Sequence, residues 1–83
     1  MNRDDLIKTI EDVLKTELEK EIKIQPDMTM LELGMDSITF MMLIVYLEDR
    51  LEIEIELEDI LSVDYAKLKI DTLIETILRN INN

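Results

Sequence analysis

The sequence predicts an all-α fold, a small four-helix bundle of three long helices and one short third helix. Three observations carry this expectation. Apolar residues recur at three- and four-residue spacings in three separate stretches. The 83 residues include only one Gly and one Pro, which disfavours a turn-rich β fold. Hydrophobic residues make up 47% of the chain, mostly Ile, Leu and Met, enough for one modest core. A chain of this length has room for one domain, so residues 1–83 are expected to form a single unit.

In the first helix Leu6, Ile10, Val13, Leu14 and Leu18 share one face, with Asn2 or Asp4 as candidate cap. Asp4 and Asp5 early, and Lys15 and Lys20 late, suit the helix dipole. Pro26 and the polar residues around it end this unit in a loop running to about Asp36. The second helix runs from Ser37 to about Leu51. After it, Leu51, Ile53, Ile55 and Leu57 alternate with acids, a period of two that reads locally as a strand. No other segment alternates comparably to pair with it. The stretch is therefore read as an extended loop entering a short helix near Glu58 to Val63. The last helix carries Ile70, Leu73, Ile74, Ile77, Leu78 and Ile81 on one stripe, with Arg79 near its end. Ser62 to Lys69 precedes it, and because Lys69 is a poor cap, the helix is expected to begin earlier, capped at Ser62 or Asp64.

Composition removes several functions. There is no Cys, which excludes disulfides, thiolate catalysis and cysteine metal sites, and no His, the commonest general base and metal ligand. The acids do not form a calcium loop, because alternating oxygen ligands around a central Gly are absent. The N-terminus reads as no signal peptide, and the longest apolar run, Ile38 to Leu47, has about half the length that a membrane span needs. A soluble cytoplasmic protein without membrane insertion is expected. The formal net charge of −11 argues against nucleic-acid partners. From Asp36 to Asp64, nine acids stand against the single base Arg50. Such a surface serves solubility, or docks basic partners by steering their approach.

The second helix repays arithmetic at about 100° per residue. Phe40, Leu43, Ile44, Leu47 and Leu51 fall within one narrow face, which is the expected core. Ile38, Met41, Met42 and Val45 fall on roughly the opposite side, followed there by Glu48 and Asp49. Either the rest of the bundle covers this second apolar stripe or, since a domain this small has little to cover it with, the stripe is a partner-facing patch with an acidic end; the second reading is preferred. Methionines suit a surface that adapts to several partners. The patch begins beside Ser37, which follows the only Gly, Gly34, where a turn becomes a helix. Asp36 and Ser37 are favoured helix caps, and Gly34 suits a positive-φ turn. As an enzymic nucleophile Ser37 lacks a histidine base and the glycine-flanked elbow of hydrolases. An enzyme is not expected.

Leu33-Gly34-Met35-Asp36-Ser37-Ile38 resembles the Leu-Gly-x-Asp-Ser-Leu/Ile motif of acyl and peptidyl carrier proteins. The resemblance extends over almost the whole chain. It takes in the amphipathic first helix, Met30-Leu31-Glu32-Leu33 before the motif, Leu51-Glu52-Ile53-Glu54-Ile55 after the second helix, and Ile70-Asp71-Thr72-Leu73-Ile74-Glu75-Thr76-Ile77 near the end. It implies that a phosphopantetheinyl transferase, using magnesium, attaches 4′-phosphopantetheine from coenzyme A to the Ser37 hydroxyl. The thiol of that arm would hold an acyl, aminoacyl or polyketide intermediate as a thioester. Gly34, Asp36 and Ile38 complete the motif, with Asp36 beside the phosphate–magnesium chemistry of loading. Ile38, Met41, Met42, Val45, Glu48 and Asp49 occupy the family's partner-recognition face. The implied partners are the transferase, an acyl- or aminoacyl-loading enzyme and downstream biosynthetic enzymes, met by a monomer.

Two departures bear on the kind of carrier. Carriers of ordinary fatty-acid synthesis place acids on the early turns of the second helix, where this chain has Thr39 and Met42. Ile38 replaces the housekeeping Leu. Both point to a specialised stand-alone carrier for a polyketide, nonribosomal peptide or other dedicated pathway. The alternatives are a housekeeping fatty-acid carrier and, in another class, an unmodified acidic helical adaptor. Second, Ser62 to Lys69 is longer than a compact carrier needs between its third and fourth helices.

Overall fold

The computed structural model describes residues 1–56 and 67–82. Among them it has three helices, α1 (Arg3–Leu18), α2 (Ser37–Leu51) and α3 (Ile70–Asn82), and no strand. The short helix expected near Glu58 to Val63 lies outside the described residues.

Local signals set the ends of α1. The Asn2 side chain accepts the Asp5 N–H at 2.8 Å, so the cap is Asn2 rather than Asp4. The helix ends at Glu19, which turns to left-handed backbone (φ 54°), well before Pro26. Lys20 thus lies beyond the helix rather than in its last turn. The loop that follows is fastened to α1 at Ile24, whose N–H donates to Glu11 Oε2 at 2.8 Å.

Within that loop, Thr29 to Gly34 forms a single closed turn with a cap at each end. At its start the Thr29 N–H donates to Glu32 Oε1 (3.0 Å) and the Glu32 N–H to Thr29 Oγ1 (3.2 Å), the reciprocal pair of a capping box. At its end the Met35 N–H donates to the Met30 carbonyl (3.1 Å) and the Gly34 N–H to that of Leu31 (3.0 Å). These two bonds are a Schellman pair, and they require left-handed backbone at Gly34, where φ is 72°.

The start of α3 differs from the expectation: it begins at Ile70, not earlier, and Ser62 and Asp64 lie outside the described residues. The reason is tertiary. The first N–H groups of a helix need acceptors, and here the distant loop supplies them. The Ile70 N–H donates to the Met28 carbonyl (2.8 Å) and the Asp71 N–H to that of Pro26 (3.1 Å). In the other direction the Met30 N–H donates to the Leu68 carbonyl (2.8 Å), and Thr29 and Lys69 form an isolated antiparallel bridge. Lys69 therefore precedes the helix without needing to cap it.

One core joins these pieces. Leu6, Ile10, Val13 and Leu14 of α1 meet Phe40, Leu43, Ile44 and Leu47 of α2 and Ile70, Leu73, Ile74 and Ile77 of α3. The loops add Ile24, Met30, Leu33, Met35, Ile55 and Leu68. Leu18, Leu51, Leu78 and Ile81, at the helix ends, are half-buried against it. Each fully buried Leu, Ile or Phe side chain contributes about 1.5–3 kcal/mol. Thr76, also buried, donates its hydroxyl to the Thr72 carbonyl at 2.9 Å, so no polar atom of that side chain is stranded. Ion pairs tie the helices at their margins, Arg50 of α2 to Asp12 of α1 (2.6 Å) and Arg3 of α1 to Asp71 of α3.

After α2, Glu52 takes left-handed backbone (φ 55°) and residues 53–56 run without regular structure. Ile55 is buried while Glu52, Glu54 and Glu56 are exposed, so the alternation marks a loop lying on the core.

Candidate functional site

The site is built at the junction of the capped turn and α2. Gly34 closes the turn, Asp36 caps the helix and Ser37 is its first residue. A Cβ built on Gly34 meets nothing within 4 Å, so glycine is needed there for its backbone and not for space. Asp36 Oδ1 accepts the Thr39 N–H at 2.7 Å. That bond, with the Thr39 hydroxyl, the Ile38 N–H and the charge of Lys20, holds the Asp36 carboxyl below its ordinary range. Met35 is buried beside the exposed Asp36 and anchors the junction to the core.

Ser37 is exposed, and its hydroxyl makes no hydrogen bond to any described residue. Asp36 performs the capping, so the neighbouring hydroxyl is not engaged as the cap of α2. The helix N-terminus also presents the positive end of its dipole at this point, favourable to a phosphoester.

Beside Ser37 lies an open apolar groove, lined by Ser37, Ile38, Met41, Met42, Val45 and Tyr46. Ile38 is 71% exposed, Val45 58%, and Met41 and Met42 41% each. The bundle leaves this stripe uncovered, while the opposite side of α2 is buried. Tyr46 is the member that sequence reasoning missed. It follows Met42 by four residues, one helical turn on, and that spacing was the signal available. Leu31, 68% exposed on the turn before the motif, was also passed over.

The acidic end of the stripe divides into two behaviours. Asp49 is exposed, whereas Glu48 is half-buried and its Oε2 accepts the Ile55 N–H at 3.0 Å. Glu48 therefore fastens the loop after α2 in addition to contributing charge. No helix among the described residues is long and apolar enough to cross a membrane.

The family model described as the phosphopantetheine attachment site matches residues 4–68, from α1 to the residues just before α3. The chain belongs to the phosphopantetheine-attachment family of carrier domains. No curated protein and no solved structure matches it. As a carrier domain it receives a 4′-phosphopantetheine prosthetic group and works with a phosphopantetheinyl transferase and biosynthetic enzymes. The residues present suit that group: an exposed hydroxyl on a fixed helix start, beside a carboxylate, with an apolar groove leading away. A carrier domain presents an intermediate to other proteins' active sites, and its own role is not catalytic.

Proposed function

We propose that residues 1–83 form one carrier domain whose 4′-phosphopantetheine is attached at Ser37, and that it holds acyl or aminoacyl intermediates for a specialised biosynthetic pathway. The observation that carries this reading is the exposed Ser37 hydroxyl, not hydrogen-bonded to any described residue, at the first position of α2, within a family defined by such attachment. In loading, the Ser37 oxygen forms a phosphodiester bond as the pyrophosphate bond of coenzyme A breaks. The nucleotide leaves and the hydroxyl proton passes to the transferase. Asp36 lies beside this exchange as a carboxylate, suited to the magnesium that accompanies the pyrophosphate. Once bound, the group supplies the terminal thiol, which this cysteine-free chain otherwise lacks, and carries the intermediate as a thioester. Ile38, Met41, Met42 and Val45 offer partner enzymes an apolar surface, with Asp49 as a charged margin.

Thr39 and Met42, at positions where housekeeping fatty-acid carriers have acids, favour a polyketide, nonribosomal peptide or other dedicated pathway. The decisive experiment is intact-protein mass spectrometry after incubation with coenzyme A, magnesium and a broad-specificity phosphopantetheinyl transferase. The native chain should gain one phosphopantetheine increment and the Ser37→Ala variant none, with the helical circular dichroism of the variant unchanged. A folded native chain that gains nothing from several transferases would make the unmodified acidic adaptor the better reading.

A further inference from the structure

The stripe beside Ser37 consists of two rows stepped by one helical turn: Ser37, Met41 and Val45 in one, Ile38, Met42 and Tyr46 in the other. A methionine stands in the middle of each row. We propose that Met41 and Met42 form a redox-sensitive modification site, at which oxidation of the thioethers to sulfoxides slows the loading of Ser37. This deepens, and rests on, the reading of Ser37 as the attachment residue.

Exposure sorts the six methionines of the chain. Met30 and Met35 are buried in the core, and Met28 is half-buried against it. Met41 and Met42 are open to solvent, and of the others only Met1, outside the helices, is open in the same way. The chain has no cysteine, so no thiol of its own competes with these thioethers for an oxidant. With hydrogen peroxide, a sulfur lone pair attacks one peroxide oxygen. The S–O bond forms as the O–O bond breaks. The departing hydroxide takes the proton of the transferred hydroxyl and leaves as water. The sulfur has then lost two electrons and the peroxide has gained them.

Placement gives this modification its consequence. Met41 lies one turn from Ser37, a spacing that sets Cβ atoms about 5–6 Å apart, and Met42 stands in the same relation to Ile38. An enzyme whose active site closes on the Ser37 oxygen covers these residues as well. A thioether gives up its water there at little cost. A sulfoxide oxygen is a polar acceptor, and its desolvation weakens the complex wherever no donor meets it. The fold is not at stake, because the core face of α2, with Phe40, Leu43, Ile44 and Leu47, lies on the other side of the helix.

The test treats the unmodified protein with dilute hydrogen peroxide, removes the peroxide, and locates the sulfoxides by peptide mass mapping. Loading from coenzyme A and magnesium by a broad-specificity phosphopantetheinyl transferase is then timed, each protein against itself before and after oxidation. Sulfoxide is expected at Met41 and Met42, along with Met1, ahead of Met28, Met30 and Met35. The kcat/KM for loading should fall about tenfold, mostly through KM, with the helical circular dichroism unchanged. Sulfoxide reductases for both sulfur epimers should return the lost rate. The double variant Met41→Leu, Met42→Leu keeps Met1 and Met28, and its own loading rate should be the same before and after peroxide. A loss of rate in that variant overturns the proposal, as does a native rate that stays low once the sulfoxides are reduced. Oxidation of the core methionines first, or loss of the helical signal, assigns the effect to damage of the fold and overturns it too. A native chain oxidised at Met41 and Met42 that loads as fast as before overturns the proposal alone. A native chain that gains no increment even before oxidation overturns the attachment reading, and the proposal with it.

Discussion

At the scale of single residues, the junction separates tasks that one side chain often combines. Asp36 caps α2 and Ser37 bonds to no described residue, so each can be altered without disabling the other. The folded-state pKa of Asp36 lies below its ordinary 3.8, because the ionised carboxylate accepts the Thr39 N–H. The cap's contribution is therefore full above that value and is lost as pH falls through the lowered pKa. The Thr39 amide shift should report this titration, with a midpoint below 3.8, and Asp36→Asn should abolish the step while leaving a cap acceptor in place. Gly34 is constrained differently. Its φ of 72° penalises any L side chain, although nothing crowds the position. Gly34→Ala should therefore destabilise by about 1–2 kcal/mol in thermal unfolding, with Gly34→Asn milder because Asn tolerates left-handed backbone.

The helices α1 and α2 end by left-handed residues that are not glycine. Glu19 and Glu52 both take positive φ at the C-termini of α1 and α2, and both set a negative charge against the negative end of the helix dipole. Glu19→Gly and Glu52→Gly should each raise stability by a few tenths to about 1 kcal/mol, read as a higher melting temperature. The interiors of these helices were legible in the sequence, because Leu6, Ile10, Val13 and Leu14, or Phe40, Leu43, Ile44 and Leu47, repeat at helical spacing and are buried together. The start of α3 was not. Its first N–H groups are satisfied by the Pro26 and Met28 carbonyls, more than forty positions earlier in the chain, and no local pattern records such a partner. Met30, Leu33 and Met35 hid for a related reason: they enter the core from an irregular loop, where burial follows no period.

For the whole molecule, charge and apolar surface act on different steps of an encounter. On the proposed reading, the net charge of −11 would steer basic partners toward the chain from a distance, and the exposed stripe on α2 would make the contact. Asp49→Lys should slow association with a partner enzyme and weaken its dependence on salt, measured by stopped flow across ionic strengths. Glu48 is a poorer probe, because reversing it also releases the Ile55 N–H and disturbs the loop. The geometry of the candidate site was largely legible in the sequence. Gly34, Asp36 and Ser37 stand in one short motif, and the exposure of Ile38, Met41, Met42 and Val45 followed from helical geometry. The structural duty of Glu48 required the fold, since it depends on how the chain turns after Glu52.

The clasp between the loop and the start of α3 sets an unusual rule for sequence drift. It is made from main-chain groups, which nearly all residues share, so no side-chain exchange at Pro26, Met28 or Leu68 can remove the acceptors it uses. Its donors, at Met30, Ile70 and Asp71, require only a main-chain N–H, which every residue type except proline supplies. A saturation library read for folding should therefore show proline as the exclusion these three positions share, whatever else each one's packing demands.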